Sequence, residues 1–290
     1  MNALNLHHLR LFRAVALDGT LTGAARRLSL SQSALSTQIR QLEDSLGQDL
    51  FERRGRGLVL TEAGRIALDH ADAIFRTADE LSATLREAGR ARRALRVGAL
   101  ATLSRNFQMQ FLRPLVGRAD IEVVLRSGSQ DELLRELKAL SLDVVLTNLA
   151  PTRDAASPWL VHRLADQPVS LIGTPRRAGA AGRALPDLLR EEPLVLPSAG
   201  TSLRASFDAL LTRLGVVPSI AAEADDMAML RLLAREDAGL AVIPPIVVRD
   251  ELASGLLVEA ATLQGISELF LAVTLGRRFP NPLLAEVLKG

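Results

Sequence analysis

The spacing at which apolar residues recur changes once along this chain, near Leu95, and that change restricts the fold more than any other feature of the sequence. Before it, apolar side chains return every three or four residues, the spacing of one helix face. After it they gather in short strand-like runs, Leu95–Leu100, Ile121–Leu125 and Asp143–Thr147, separated by helical stretches near Asn106–Val116 and Asp131–Leu140. The alternation restarts at Val169–Gly173. It continues through Leu194–Pro197, a helix over Thr201–Leu214, another over Asp226–Arg235, the run Leu240–Pro244 and the run Leu269–Thr274. Strands alternating with helices predict a parallel, doubly wound α/β sheet, here repeated as two lobes. The chain's 290 residues exceed the usual single core, so a helical part followed by an α/β part is the expected division.

Within the helical part, Asn5 can cap a first helix whose inward stripe is Leu6, Leu9, Phe12 and Val15, ending near Asp18-Gly19. Thr20 and Ser31 are placed as N-caps of two further helices joined by a turn too short to be a linker. The first of these two is built for close approach, with small Ala24 and Ala25 and with Leu28 closing the turn. The second carries Leu35, Ile39, Leu42 and Leu46 on one face, while Ser33, Ser36, Thr37 and Arg40 lie opposite, with Gln32 at the N-terminal end. Such polar side chains at a helix N-terminus suit base edges and phosphates in a major groove. An ordinary amphipathic hairpin with a solvated face is the alternative. After Gly47, Leu50-Phe51 can close the base of the bundle, and Glu52–Leu60 reads as a tight two-stranded wing carrying Arg53, Arg54 and Arg56. Guanidinium forks there suit phosphates or a minor groove, although a solvated basic turn has the same composition.

In this order and spacing, residues 4–65 resemble the winged helix-turn-helix of LysR-type transcriptional regulators. The matching residues are Leu9, Phe12, Ala24, Ala25, Leu28, Ser31–Ser36, Gln38-Ile39, Leu42-Glu43, Leu46-Gly47, Leu50–Arg53, Leu60-Thr61 and Gly64. Members often carry proline where Ser33 stands and arginine where Thr37 stands, so a different set of flanking bases is expected. The resemblance implies an α/β multidomain chain: a DNA-binding domain over residues 1–61, a linker helix over 62–90 and an effector-binding domain over 91–290. Lobe I of that domain would comprise about 91–163 and 267–290, and lobe II about 164–266, with crossovers near Leu160–Gln167 and Thr262–Glu268.

Thr61 can cap the linker helix, in which Ala63, Ile66, Ala67, His70, Ala71, Ile74, Ala78, Leu81 and Leu85 recur at helical spacing to about Arg90. A second copy of the same helix is the expected partner, giving a homodimer or homotetramer; packing on its own domain is the alternative. In the α/β part, ligands bind where strand ends meet helix N-termini. Ala101-Thr102, Asn148 and Ser198–Ser202 have that placement, and the resemblance, in which such loops line the inducer pocket, implies Ala101, Thr102, Asn148, Ser198, Thr201 and Ser202 as effector-binding candidates, with Asp225 and Ile243 farther out. Pro175–Gly182, rich in Ala, Gly and Arg, reads as a surface loop.

Composition narrows the functions. There is no cysteine, so disulfides, thiolate metal sites and cysteine nucleophiles are excluded. Arginine supplies nearly all the positive charge, and dividing at Ala94 leaves 14 Arg against 11 acidic residues before it, or +3, and −1 after it. That asymmetry permits a nucleic-acid surface in the first part. No nucleophile elbow, phosphate loop or dinucleotide fingerprint occurs, and His7, His8, His70 and His162 lack metal-ligand spacing. Together with the resemblance, this leads to the expectation of a cytoplasmic, non-enzymatic regulator without cofactor, metal site or membrane span. Its partners would be double-stranded DNA, a small-molecule or ion effector, itself, and RNA polymerase. The alternative is a solute-binding module of the periplasmic-binding-protein type with an appended helical oligomerisation domain.

Overall fold

The computed structural model describes residues 4–54, 57–88, 92–152, 159–179 and 183–289. The chain divides into two compact units, Met1–Leu85 and Arg86–Gly290.

The first unit is a helical bundle with a two-stranded ribbon. Helix α1 (Leu6–Asp18) begins where the Asn5 Oδ1 accepts from the amides of His7 and His8, at 2.9 and 3.3 Å, and stops at Gly19 in the left-handed region. Helix α2 (Leu21–Leu28) is capped by Thr20 and α3 (Gln32–Leu46) by Ser31, each hydroxyl accepting from the amide three residues on at 3.1 Å. These caps fix the turn between α2 and α3 by satisfying amides that the helices leave orphaned. Phe12, Val15, Ala24, Ala25, Leu35, Ile39 and Leu42 close the core, and Leu50 seals its base. Strand β1 (Phe51–Arg54) pairs antiparallel with β2 (Gly57–Leu60), Phe51 opposite Leu60, and the Phe51 ring lies 5.2 Å from that of Phe12.

Helix α4 (Glu62–Ala88) starts from Thr61, whose Oγ1 accepts from the Gly64 amide at 2.9 Å. A side chain at Gly64 would put its Cβ 2.0 Å from the Leu50 carbonyl oxygen, so only glycine lets this turn lie against the entry to the ribbon. Ala71 and Phe75 join the core of the first unit, and Ala63, Ala67, Leu68 and Ile74 pack partly against it. The Phe75 ring also meets the guanidinium groups of Arg10 and Arg13, whose carbons lie 5.2 and 5.9 Å from its centroid, and Arg13 pairs with Asp72. The single seam expected along this helix is therefore two stripes. One belongs to the unit's own core; the other, with Ile66 52%, Leu81 61% and Leu85 63% exposed, faces outward.

The second unit is built on one eight-stranded sheet. Strand β3 (Arg93–Leu100) leads through α5 (Arg105–Leu112) to β4 (Ile121–Gly128), and α6 (Gln130–Lys138) leads to β5 (Val144–Thr147). Long strand β6 (Trp159–Gly173) carries the chain to the far lobe, where α7 (Pro175–Ala178), α8 (Leu185–Glu191), β7 (Leu194–Pro197), α9 (Ser202–Leu214) and β8 (Ile220–Ala224) follow. Then come α10 (Met227–Arg235), β9 (Leu240–Ile243), a 3-10 turn (Pro245–Val248), α11 (Arg249–Ser254), the returning β10 (Val258–Leu275) and α12 (Leu284–Val287). The order across the sheet is β4-β3-β5-β10-β6-β9-β7-β8.

Three expectations need correction. The sheet is mixed: β3, β4 and β5 are parallel, as are β7, β8 and β9, but β10 runs antiparallel to β5 and β6, and β6 antiparallel to β9. Each crossing strand enters the other lobe against the direction of that lobe's own strands. The segments Leu160–Gln167 and Thr262–Glu268, expected as crossovers, are not separate connectors but lie within the continuous strands β6 and β10. Pro175–Ala178, read as loop, is a helical turn with proline in the position that tolerates a missing amide, and residues 180–182 lie outside the described residues.

Where the lobes join, the ladder skips: Val169 faces Leu263 and Pro168 faces Ser267, leaving Gln264, Gly265 and Ile266 as an excursion with Gly265 at φ 78°. Proline cannot donate to the ladder and glycine accepts the positive φ, so the interruption falls where the residues permit it. Both faces of the sheet are covered, and Phe107 of α5 stacks on Phe270 of β10 at 4.1 Å between centroids.

Candidate nucleic-acid interface and ligand cleft

On α3, Gln32, Ser33, Thr37 and Arg40 are exposed and Ser36 is half-buried, opposite the buried Leu35, Ile39 and Leu42. The helix is thus anchored on one side and presents a short polar row on the other. Thr37 donates to the Ser33 carbonyl at 3.0 Å, the Ser31 and Ser33 hydroxyls lie 3.1 Å apart, and Thr22 donates to Gln32 Oε1 at 3.3 Å. These weak local bonds orient the row and leave acceptor capacity on each oxygen. Arg40 has no ion-pair partner among the described residues. Of the wing, the backbones of Arg53 and Arg54 are in β1; their side chains, and all of Gly55 and Arg56, lie outside the described residues.

Glu43 matches the family pattern, but its sequence position assigns it no role. Its Oε1 accepts from the Leu50 and Phe51 amides at 2.9 and 3.2 Å, tying the end of α3 to the start of the wing. The spacing alone could not show this, because the carboxylate folds back across a turn.

In the second unit, a cleft brings together Thr102 after β3, Asn148 after β5, Thr201 and Ser202 at the start of α9, and Asp225 after β8. Its remaining walls are Pro197, Leu203, Ala224, Met227, Leu230 and Glu268. Ala101 and Ser198 stand beside this group without lining it, and Ile243 is fully buried in β9, so it belongs to the core. The Thr201 hydroxyl accepts from the Arg204 amide at 3.1 Å and donates to the Ser198 carbonyl at 3.2 Å, which makes it a helix cap as well as a wall.

Sequence reasoning missed Glu268, the most unusual group in the cleft. It lies one residue beyond the ladder skip and is 6% exposed. Its Oε1 accepts from Asn148 Nδ2 at 2.6 Å, while Glu268 Oε2 and Asn148 Oδ1 are buried with no partner among the described residues. Burial pushes the Glu268 carboxyl above the usual carboxylate range, against the smaller opposing pull of the Asn148 amide. An acid inside a strand ordinarily marks a solvated face; only the long-range pairing of β10 turns this one inward.

Among the described residues there is no cluster of three His, Cys, Asp or Glu side chains able to hold a metal, and no helix long and apolar enough to cross a membrane.

Comparison with known proteins agrees with both units. Residues 6–65 match the family model described as a bacterial regulatory helix-turn-helix protein of the lysR family, and residues 88–289 match the LysR substrate binding domain. The chain is 32% identical to the RuBisCO operon transcriptional regulator of Allochromatium vinosum over 73% of this chain and 70% of that protein. It is 24% identical to the transcriptional activator protein NhaR of Escherichia coli, over 99% of this chain and 95% of that one. Its fold is similar to that of full-length CbnR complexed with its target DNA, at TM-score 0.53 and 24% identity over 98% of this chain and 97% of that one. It is also similar to a full-length OxyR variant from Pseudomonas aeruginosa, at TM-score 0.56 and 23% identity over 99% of this chain and 94% of that one.

Proposed function

Since the chain belongs to the LysR family of DNA-binding transcriptional regulators, we propose that it reads its operator with Gln32, Ser33, Ser36, Thr37 and Arg40, and grips the adjacent backbone with Arg53, Arg54 and Arg56. A small effector bound against Thr102, Asn148, Thr201 and Ser202 would then alter how paired copies sit on the DNA. Ala101 and Ser198 shape the ends of the loops that carry these residues. Membership in this family sets aside the alternative of a solute-binding module.

One observation supports the DNA reading above the others. The polar row of α3 is exposed on a helix whose opposite face is locked into a core, so its side chains are presented on a rigid support. Self-association is supported by the outward stripe of α4 and by an apolar groove lined by Leu4, Leu46, Leu50, Ile66 and Ile74. A homodimer or homotetramer formed there would place two reading helices on one duplex, in the cytoplasm, where RNA polymerase is the next partner.

The test is selection of bound fragments from a genomic library by the purified full-length protein, followed by footprinting of the preferred fragment with wild type and Arg40→Ala. A preferred site whose base discrimination relaxes in the variant supports the assignment. Equal affinity for all fragments at low ionic strength refutes it.

A further inference from the structure

We propose that the cleft takes a ligand with a small, positively charged, hydrogen-donating ammonium head, and disfavours carboxylates of the same size. The inference rests on the reading of this cleft as the effector site. Its first support is charge: among the described residues the lining holds Glu268 and Asp225 and no Arg, Lys or His. The arginines near it are engaged elsewhere. Arg204 pairs with Asp208 at 2.9 Å and Glu223 at 2.7 Å and donates to the Pro197 carbonyl, and Arg105 donates to Ser127 at 3.0 Å. An entering anion would meet two acids with no base among the described lining residues, whereas a cation would meet complementary charge.

The second support is the pair of orphan acceptors. The Asn148 amide already donates to Glu268, which holds the two side chains together, and what each has left is an oxygen without a donor. Buried polar atoms in folded proteins are nearly always bonded, and exceptions call for a partner. A head group with several N–H donors supplies one to each oxygen. The helix starts add little for an anion: Thr201 already caps α9 at the Arg204 amide, and α10 is capped by the carboxylate of Asp226 at the Ala228 amide.

Size is the third. The enclosed space is about 30 Å³, and a water needs roughly 10–15 Å³, so a head group of about two heavy atoms fits while the body of a ligand must lie toward the mouth. Leu203, Met227 and Leu230 add buried apolar wall to the cleft, which suits the methylene next to an ammonium head.

The experiment uses the full-length protein and matched pairs of probes: butylamine with butyrate, benzylamine with benzoate, and agmatine with succinate, at equal ionic strength, with sodium chloride as the salt arm. Binding is read from the thermal transition followed by Trp159 fluorescence and from titration calorimetry at pH 5 to 8. At least one amine should bind, more tightly as pH rises, and Glu268→Gln should weaken it about tenfold or more and remove the pH dependence, as loss of one charge-assisted bond requires. Asp225→Asn, at an exposed position, should weaken it less. The proposal is overturned if no amine binds, if sodium chloride alone accounts for the gain, if Glu268→Gln binds as well as wild type, or if the carboxylates bind instead. The site itself is tested separately by Ser202→Trp, which fills the cleft. A carboxylate displaced by that substitution removes only the charge assignment, whereas a probe that alters the DNA footprint equally in Ser202→Trp shows that the effector site lies elsewhere.

Discussion

Replacing Phe75 by alanine separates the two stripes of α4 by experiment. The ring is 7% exposed, belongs to the core of the first unit, and lies beneath the guanidinium groups of Arg10 and Arg13. Truncating a buried phenylalanine costs about 3–5 kcal/mol, and the two cation–π contacts add roughly 0.5 kcal/mol each where they are partly exposed. In a unit of this size each kcal/mol moves the transition by about 4–8 °C, so a fall of at least ~12 °C is expected. Trp159 is the chain's one tryptophan and sits in the second unit, so its fluorescence reports that unit separately. Scanning calorimetry should show the first transition fall while the Trp159 transition stays in place, at fixed protein concentration because assembly adds its own stability. Leu81→Ala, on the outward stripe, should leave the first transition within ~0.5 kcal/mol yet weaken self-association in sedimentation. A first transition that moves by less than ~1 kcal/mol in Phe75→Ala, or a Trp159 transition that moves with it, refutes the division.

Other outcomes follow from single contacts. Glu43→Ala leaves the Leu50 and Phe51 amides without their acceptor, at about 1–3 kcal/mol for each partly buried group; denaturant titration should register the loss, and Glu43→Gln should recover most of it. Arg40→Ala should relax discrimination at one base position by roughly 1–3 kcal/mol, while Arg54→Ala should weaken all sequences and reduce the salt slope by about 1; anisotropy titrations across salt separate the two. Because the folded carboxyl of Glu268 titrates above its unfolded value, its contribution to stability is present at low pH and is lost as pH rises through the folded pKa. Denaturation of the second unit followed by Trp159 should show that loss as pH rises from acid in wild type, and a flatter profile in Glu268→Gln.

What the sequence disclosed, and what it hid, follows from the range of the forces involved. The caps Asn5, Thr20, Ser31 and Thr61 act within three residues and were legible, as was the Leu35, Ile39 and Leu42 stripe. An apolar spacing announces burial without naming the partner, so Ala71 was not distinguished from Ile66, Leu81 and Leu85, and Phe75, buried in the same core, was not singled out. Strand β8, Ile220–Ala224, was missed because its alanines lack β-branched bulk and it lies at the sheet's edge. The antiparallel centre was missed because polar residues at the waist interrupt the apolar runs of β6 and β10, which then read as four short pieces rather than two long ones. In the cleft, Thr102, Asn148, Thr201 and Ser202 follow from strand ends and helix starts, but Glu268 depends on pairing between segments about a hundred residues apart.

The three unpaired residues Gln264, Gly265 and Ile266 also decide where the second unit can tolerate a change of chain length. Along Phe270–Leu275 the side chains of β10 alternate between two covered faces, so one inserted residue would invert every neighbour's orientation and force each side chain into packing shaped for the opposite face. Beside Gly265 no such alternation is enforced, and an added glycine would only enlarge an arc that already stands outside the ladder. The join between the lobes is therefore the place on this strand where length can drift at least structural expense.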